Sequence, residues 1–485
     1  MMPAPILTAL SLGFAAYLVV IGVYIIAENR RPSATLAWML LFALLPGVGV
    51  VLYLLFGRQH QNFGLTGKLM RQELDARLAP LIAGLEPEHR AALARMEAED
   101  GSAASLSELV RNTTRSTVTT RNRIELLQDA PNAYPRLIED LRGATHSIHL
   151  QYFSWNADAF GEELKDILTE KAAQGVAVRI LYDPVGSIFM LRRRYIRQMR
   201  AGGVRFEPFS KLWRVHTISY RNHRKIAVID GRVGHTGGLN IGGEHIHPPR
   251  GFRLWRDTNI RMTGSSVALL QAVFAVDWHN ATGEDLFQPQ HFPPTPAELH
   301  DARLPVQLTL SGPDSEWQAI RQLYFAMIVG ARERVYLQSP FFILDTSIAE
   351  ALKAAALSGV DVRVMISERG ARQYVPYWAA NTYMREIAAS GAQVLLYQPG
   401  YLHAKTVIAD GRVCSIGSAN IDIRSFGINY ELNAVIYDAG FSGQLERDFL
   451  RDMQDCREFT VAGYRASSRL LRFRDSLARL FSPLM

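Results

Sequence analysis

The chain has 485 residues, with 53 lysines and arginines against 46 aspartates and glutamates, which gives a formal net charge of +7. Apolar residues make up 48% and charged residues 20%, which excludes wholesale disorder. The length excludes a disulfide-stapled miniprotein and allows roughly two to four domains. The mild charge excess suits an anionic surface or substrate without singling out nucleic acid. Two cysteines, Cys414 and Cys456, cannot build a disulfide framework or a cysteine-based zinc site.

Two long stretches without charged side chains open the sequence. Residues 1–27 carry no charge, and after the segment 28–31 residues 32–57 again carry none. A helix needs about 20 apolar residues to cross the hydrocarbon of a bilayer, so we predict transmembrane helices over residues 4–27 and 34–56. A cleaved signal peptide is the alternative for the first stretch. It is disfavoured because there is no basic amino-terminal region and the apolar run is too long.

The charges beside these helices bear on orientation. Two spans place the amino terminus and the main body of the chain on the same side of the membrane. The short loop carries Arg30 and Arg31, against Arg58, Lys68 and Arg71 after the second span. The positive-inside rule therefore slightly favours a cytoplasmic main body. Residues 58–123, rich in Ala, Glu and Arg, are predicted to form a helical linker.

The remainder of the chain contains an internal repeat. Three segments recur in the same order: SIHLQYF (147–153) and RVYLQSPFF (334–342), GVAVRILYD (175–183) and GVDVRVMIS (359–367), and NHRKIAVIDGRVGHTGGLN (222–240) and LHAKTVIADGRVCSIGSAN (402–420). Such a series of matches indicates two copies of one structural unit.

Each copy alternates β-rich runs with helical patterns. Residues 147–153, 176–182 and 226–230 are predicted strands, and residues 162–174 and 346–358 are predicted helices, each ending before a glycine that can cap it. This alternation is typical of an α/β sheet with helices on its faces.

We therefore predict an α/β fold with two pseudo-symmetric domains packed face to face. They occupy residues 124–285 and 306–462, and a proline-rich linker joins them at 286–305. A basic amphipathic helix is predicted over residues 463–485. It either packs on the domain or lies on anionic lipid.

The last repeated segment carries the chemistry. Both copies fit the pattern H-x-K-x4-D-x6-G-[GS]-x-N. The matching residues are His223, Lys225, Asp230, Gly237, Gly238 and Asn240 in the first copy, and His403, Lys405, Asp410, Gly417, Ser418 and Asn420 in the second. A single His-x-Lys pair is typical of a solvated strand end. Two copies with the same Asp, Gly and Asn indicate a site.

This spacing predicts a phosphate pocket. His and Lys two residues apart on a strand face the same side. The strand continues into an Asp-Gly turn, and the returning strand brings a glycine-rich turn and the Asn to the same place. Histidine supplies a nucleophile, lysine a charge clamp and asparagine an amide donor, and Gly237, Gly238 and Ser418 are expected to bind phosphate as well. Asp230 and Asp410 either take part in catalysis or only hold the turn.

Two copies supply both groups that in-line displacement at phosphorus needs. One histidine, His223 or His403, attacks and becomes phosphohistidine. The other protonates the departing alkoxide and then deprotonates the incoming alcohol. Carboxylates are needed to orient the imidazoles, and we expect Glu431 to serve His403 and Asp257 to serve His223. No metal or other cofactor is required.

These duplicated motifs resemble the phospholipase D superfamily over about residues 125–440. The apolar amino terminus, WRDT at 255–258 and the ending LFSPLM narrow the resemblance to bacterial cardiolipin synthases with two amino-terminal spans. The resemblance implies an enzyme of the bacterial inner membrane that condenses two phosphatidylglycerols into cardiolipin and glycerol through a phosphatidyl-histidine. It needs no nucleotide and no nucleic acid. Family precedent favours His223 as the nucleophile.

Alternatives within the superfamily stay open at this point. The motifs do not separate a transferase from a hydrolytic phospholipase D or a phosphatidylserine synthase, because acceptor choice depends on pocket shape and water exclusion. A nuclease is disfavoured by the two apolar stretches and the modest charge. A catalytically dead scaffold is disfavoured by the intact motifs. His245 and His247, in an insertion of the first copy, lack a clear third metal ligand.

Overall fold

The computed structural model describes residues 4–28, 32–53, 71–99, 101–210, 219–371 and 374–482. The chain divides into two compact units. One comprises Met1–Phe63 and Leu212–Ser219, and the other comprises Gly64–Lys211 and Tyr220–Met485.

The first unit contains the helices α1 (Ala4–Ala27), α2 (Pro32–Leu44) and α3 (Pro46–Leu52). The second predicted span is broken at Leu45, because Pro46 has no N–H and its ring clashes with the preceding turn. Residues 54–56 of that span lie outside the described residues. Over the part of the chain that the structure describes, no helix is both long and apolar enough to cross a membrane.

The second unit opens with α4 (Arg71–Glu99) and α5 (Ser102–Thr114). We expected a helical linker here, but Ala92, Met96 and Val110 are buried in the same hydrophobic core as the helices of the second repeat. These two helices are therefore an integral part of the unit.

The first repeat forms an α/β layer. Its strands are β1 (Asn122–Gln128), β2 (Ser147–Tyr152), β3 (Ala177–Tyr182), β4 (Arg205–Pro208), β5 (Ile226–Ile229), β6 (Val233–Gly237), β7 (Leu254–Arg256) and β8 (Thr258–Gly264), and its helices are α6 (Ala130–Gly143), α7 (Ala159–Ala173), α8 (Arg193–Ala201) and α9 (Ser265–Thr282). The sheet has the order β1-β8-β6-β5-β2-β3-β4. Strands β2, β3 and β4 are parallel, and the other neighbours are antiparallel.

The second repeat forms a matching layer. Its strands are β9 (Val306–Ser311), β10 (Arg334–Ser339), β11 (Phe342–Ile343), β12 (Asp361–Ser367), β13 (Gln393–Tyr397), β14 (Gly400–Leu402), β15 (Thr406–Ala409), β16 (Val413–Gly417), β17 (Ile421–Asp422), β18 (Glu431–Ile436) and β19 (Cys456–Glu458). Its helices are α10 (Ala319–Gly330), α11 (Thr346–Leu357), α12 (Val375–Ala389), α13 (Ile423–Gly427), α14 (Ala439–Met453), α15 (Val461–Ala466) and α16 (Arg469–Arg479).

The strand order confirms the repeat. The second sheet runs β9-β18-β16-β15-β10-β12-β13-β19, so its first seven strands match the first sheet position by position. The predicted helices are confirmed as α7 and α11, and each is followed by a glycine with positive φ, Gly175 at +90° and Gly359 at +93°. These glycines end the helices because only glycine takes that conformation without strain.

The two sheets share one core. Val228 and Ile260 of the first sheet and Ile408 and Ile416 of the second are buried in the same cluster, with Trp278 of α9. The opposite face of the first sheet is covered by α6, α7 and α8, and that of the second by α10, α11 and α12. The fold is thus α/β, with two sheets that face each other.

The carboxyl-terminal helix differs from its prediction. Instead of one helix over 463–485, the chain forms α15 and α16, and the break lies at Ser467 and Ser468. The hydroxyl of Ser468 accepts a hydrogen bond from the N–H of Leu471 and so caps the start of α16. Residues 483–485 are not among those described.

Candidate active site

The two His-Lys pairs lie where the sheets meet. In each half the pair directly precedes the central antiparallel strand, β5 or β15, and so lies at the carboxyl end of the neighbouring parallel strand, β2 or β10. Both lysines are almost fully buried, and each ammonium donates a hydrogen bond to the carbonyl of its own histidine. Each lysine ammonium is therefore held against the backbone of its own histidine.

Each histidine is bound by a carboxylate of the other half. Nδ1 of His223 lies 3.0 Å from Oε2 of Glu431, and Nδ1 of His403 lies 2.7 Å from Oδ2 of Asp257. Each histidine thus contacts the carboxylate of the other half, whereas we expected Glu431 beside His403 and Asp257 beside His223. A carboxylate at Nδ1 fixes the tautomer and leaves Nε2 for a phosphate.

Backbone pairing explains this crossing. The N–H of His223 donates to the carbonyl of Tyr430, which directly precedes Glu431, at 2.9 Å. The N–H of His403 donates to the carbonyl of Arg256, which directly precedes Asp257, at 2.7 Å. In addition, β7 and β14 form a two-stranded parallel ribbon between the halves. Each histidine segment thus lies alongside the carboxylate segment of the other half.

The structure places Asp230 and Asp410 at the opposite ends of β5 and β15 from the histidines. Asp230 accepts hydrogen bonds from the N–H groups of Thr145, His146 and Ser147. Asp410 accepts the corresponding three from residues 332–334. Although burial raises the pKa of Asp230, these backbone bonds hold it below its usual value. Both aspartates therefore hold the turn in this structure, and their catalytic role stays a prediction.

The glycine-rich turns make room for the carboxylates. A Cβ on Gly238 would lie 1.9 Å from Oδ1 of Asp257, so no side chain fits there. In the second half Ser418 occupies the matching position, and its hydroxyl donates to Glu431. A Cβ on Gly237 or Gly417 would come within 2.4 Å of an asparagine side-chain oxygen. Gly238 and Ser418 thus pack against the carboxylates that contact the histidines, and the predicted phosphate binding by Gly237, Gly238 and Ser418 stays a prediction.

The two asparagines lie beside the same loops. The side-chain oxygen of Asn240 accepts a hydrogen bond from the N–H of Ser154 at 3.2 Å, which directs its NH₂ away from that contact. Asn420 is buried, and its side-chain oxygen has no hydrogen-bond partner within the described part of the chain. Their predicted role at the phosphate stays a prediction.

Known proteins resemble this chain over nearly its whole length. The family model for the cardiolipin synthase PLD-like domain matches twice, at residues 137–278 and 324–453. The model for the phospholipase D-nuclease N-terminal segment matches residues 12–58. Cardiolipin synthase of Halalkalibacterium halodurans is 37% identical over 484 residues, which cover 99% of this chain and 94% of the relative. The chain belongs to the bacterial cardiolipin synthases of the phospholipase D superfamily.

Two further matches support this. The major cardiolipin synthase ClsA of Bacillus subtilis is 35% identical over 483 residues, with 98% of both chains covered. The crystal structure of a phosphatidylserine synthase from Haemophilus influenzae aligns with a TM-score of 0.60 at 15% identity, covering 78% of this chain and all of that one. That second likeness shows the fold alone. The cardiolipin synthase fold is therefore two phospholipase D-like domains in one chain.

Burial is the largest influence on the pKa values of the lysines and histidines in this cardiolipin synthase site. It lowers the pKa of Lys225 to about 7 and that of Lys405 to about 8, against the attraction of the nearby carboxylates. Burial also lowers the pKa of both histidines, and it takes that of His403 well below the usual value because Lys405 and Lys225 add repulsion. Both imidazoles are thus available in the neutral form at neutral pH.

The two carboxylates differ. Burial raises the pKa of Asp257, and Lys405 opposes this only in part. Burial acts on Glu431 in the same direction, but His223, Lys225 and the Ser418 hydroxyl hold its pKa below the usual value. The pKa of Glu431 thus lies below its usual value, whereas the pKa of Asp257 is raised and that of its partner His403 is lowered, which moves the two toward each other.

Sequence reasoning missed the ion pairs behind these carboxylates. Nη1 of Arg224 donates to both carboxylate oxygens of Asp277 of α9 at 2.8–2.9 Å, and its Nε donates to the carbonyl of Glu431. Arg256, next to Asp257, pairs with Asp452 of α14 at 2.8 Å. In the sequence, the only sign of these ion pairs is that Arg224 follows His223 and Arg256 precedes Asp257. These pairs fix the backbone that carries the motifs.

Sequence reasoning also missed the aromatic rings that pack beside the two histidines. The ring of Phe153 lies 5.0 Å from that of His223, and the ring of Trp255 lies 5.3 Å from that of His403. His245 packs edge-on against Trp255 at 4.5 Å, and burial lowers its pKa to about 3. Among the described residues, no group of three or more His, Cys, Asp or Glu side chains could hold a metal.

Proposed function

We propose that the chain is a phosphatidyltransferase that condenses two phosphatidylglycerol molecules into cardiolipin and glycerol through a phosphatidyl-histidine. The observation that carries the proposal is the pair of crossed histidine–carboxylate couples, each beside a buried lysine, within one site. Two histidines with opposed roles are what a two-step displacement at phosphorus needs.

His223 is the proposed nucleophile. Its Nε2 forms a bond to the phosphorus of the first phosphatidylglycerol, and the bond from phosphorus to the glycerol oxygen breaks. The ionised Glu431, held by Ser418, stabilises the positive charge that develops on the imidazole. Lys225 and Lys405 balance the charge of the non-bridging phosphate oxygens.

His403 is the proposed acid and base. In the first step the Nε2–H of His403 gives its proton to the departing glycerol oxygen, and the proton between Nδ1 and Asp257 moves onto Nδ1, so that the imidazole is left neutral. In the second step His403 takes the proton of the terminal glycerol hydroxyl of another phosphatidylglycerol as that oxygen attacks phosphorus and releases His223. The two carboxylates support this division of roles, because their surroundings raise the pKa of Asp257 and lower that of Glu431.

Burial of the site supports transfer over hydrolysis. Both histidines are less than one-tenth exposed and both lysines about 1% exposed. A site closed to bulk water favours an alcohol acceptor delivered with its lipid.

The proposed setting is the bacterial inner membrane, with the amino-terminal helices inserted and the catalytic domains cytoplasmic. Long runs of apolar side chains on α1 and α2 face outward, among them Val19, Val23, Leu36 and Leu40. Apolar side chains on the outside of two packed helices suit a lipid environment. Phospholipids, rather than nucleic acid, are the proposed partners.

The test uses the full chain in mixed micelles with labelled phosphatidylglycerol and no nucleotide. Cardiolipin and glycerol in equal amounts are the expected products. Phosphatidic acid as the sole product would overturn the choice of acceptor and show that water attacks the intermediate. Absence of turnover with phosphatidylglycerol would overturn the proposed substrate.

The pH dependence follows from the two lysines. They hold phosphate only when protonated, so we expect kcat/KM to fall as pH rises through about 7 and about 8, where Lys225 and Lys405 lose their protons. Initial rates in mixed micelles of constant composition measure this profile. Lys225→Arg, which keeps its charge, should move the decline to the higher pH set by Lys405. A profile that stays flat across this range would contradict the assignment.

A further inference from the structure

The orientation of α16 is the reverse of that of an ordinary surface helix. Its apolar side chains face outward, with Leu470 76% and Phe473 65% exposed, and Leu477 is also exposed. By contrast, the carboxylate-bearing Asp475 is only 2% exposed. A helix at the edge of a soluble domain normally buries its apolar stripe.

Polar contacts hold the helix in this orientation. The side chain of Asn381 on α12 donates to Asp475 at 3.0 Å, and Arg474 pairs with Asp475 while lying over the ring of Trp378. Arg479 pairs with Glu386, also on α12. The polar face of α16 thus contacts α12, and its apolar face stays exposed.

Arginines outnumber acids around this face. Between residues 461 and 482 the chain has five arginines, at positions 465, 469, 472, 474 and 479, and one acid, the buried Asp475. A groove of about 380 Å³ between α12, α15 and α16 has Arg457 in its wall, paired with Glu368, beside the aromatic Phe459. An exposed apolar stripe flanked by arginines is complementary to a bilayer surface with anionic headgroups.

The same helix α12 connects this face with the active site. The hydroxyl of Tyr377 on α12 lies 3.4 Å from that of Tyr401, and the ring of Tyr401 lies 5.7 Å from that of His403. Helix α12 therefore contacts α16 and also Tyr401, which packs beside the catalytic His403.

The first repeat has an equivalent exposed element. The loop after β3, which corresponds to the loop before α12, exposes Ile188 and leaves Phe189 95% exposed, and arginines 192–194 follow. Strands β3 and β12 end at the edge of the sheets where the His-Lys pairs lie. The loop at 188–189 therefore exposes apolar side chains at the edge that carries the site, and α12, on which α16 packs, begins after the corresponding edge of the second repeat.

We infer that the exposed side of α16 and the loop at 188–189 together form a docking surface for a bilayer rich in anionic phospholipid, separate from the amino-terminal helices. The apolar side chains enter the interfacial region and the arginines bind headgroup phosphates. This surface holds the active site next to the membrane, from which both lipid substrates come. The lipid occupant rests on the proposed function, since a phosphatidyltransferase meets its substrates in a bilayer.

The first test compares substrates in two physical states with full-length protein. For a triple variant, Leu470→Gln, Phe473→Gln and Leu477→Gln, we expect the half-saturating surface concentration of phosphatidylglycerol in mixed micelles to rise about tenfold. Turnover of a short-chain, monomeric phosphatidylglycerol should stay unchanged. Val329→Gln with Leu357→Gln is the matched control, since these exposed apolar residues lie on α10 and α11. Equal kinetics of the triple variant and the control would overturn the inference.

The second test measures position and does not depend on turnover. A fluorescent probe on Phe473→Cys, in protein reconstituted into phosphatidylglycerol-containing vesicles, should be quenched by nitroxide-labelled lipid, whereas the same probe on Leu357→Cys should not. Quenching without cardiolipin synthesis would leave the docking surface standing and overturn the proposed function. Absence of lipid quenching would overturn the docking surface. Self-quenching that depends on protein concentration, without lipid quenching, would overturn it too and assign the surface to a second copy of the chain.

Discussion

Replacing either motif histidine by alanine should reduce cardiolipin synthesis by about 10⁴-fold or more, but the two variants should fail at different steps. With a substrate whose leaving group is p-nitrophenol, no acid is needed for departure. His403→Ala should then still release a burst of p-nitrophenol and accumulate phosphatidyl-enzyme, while His223→Ala should release none. Rapid-quench measurement of the burst, with labelled lipid to detect the covalent species, separates the steps.

His247→Ala is the matched control for the histidine variants. His247 lies on the insertion near the site but is exposed, so this variant should keep wild-type activity. A burst from His223→Ala together with none from His403→Ala would reverse the assignment of nucleophile and acid. Normal cardiolipin synthesis in either variant would contradict the two-histidine mechanism.

The second large effect concerns the crossed carboxylates. Because Glu431 contacts His223, Glu431→Gln should slow the burst with the p-nitrophenyl substrate by about 10²–10⁴-fold. Asp257→Asn should leave this burst nearly unchanged, because Asp257 contacts His403, and should slow only the reaction with phosphatidylglycerol. Burst rates and steady-state rates of both variants measure the two effects.

The two carboxylate variants control each other. Both carboxylates are fully buried, so thermal unfolding of each variant shows whether the fold is kept. If each carboxylate served the histidine of its own half, Asp257→Asn would remove the burst and Glu431→Gln would spare it. That pattern would contradict the crossed geometry.

Several features could be predicted because they are local or are repeated. The α/β class follows from strands and helices that alternate along the chain, and the repeat is visible as matched segments. His223, Lys225, His403 and Lys405 are marked by a spacing that appears twice. The Asp-Gly turns also follow locally, and the positive φ of Asp230 shows that turn in the structure.

The errors concern groups distant in the chain. Nothing in the sequence around Glu431 states that its partner is His223, 208 residues away. The position of Asp230 away from His223 depends on which end of β5 lies at the site. The use of Gly238 as space for Asp257 likewise depends on a contact across strands.

By itself, the sequence determined which residue types form the site and that there are two sets of them. Both follow from local spacing along a strand and from the repetition of segments, which can be seen without the fold. Only the tertiary structure decided which histidine binds which carboxylate, because Arg256 and Tyr430 form backbone hydrogen bonds with the opposite half. It also decided the orientation of α16. Helical periodicity shows that a face is apolar, but contacts with α12 determine whether that face is buried or exposed.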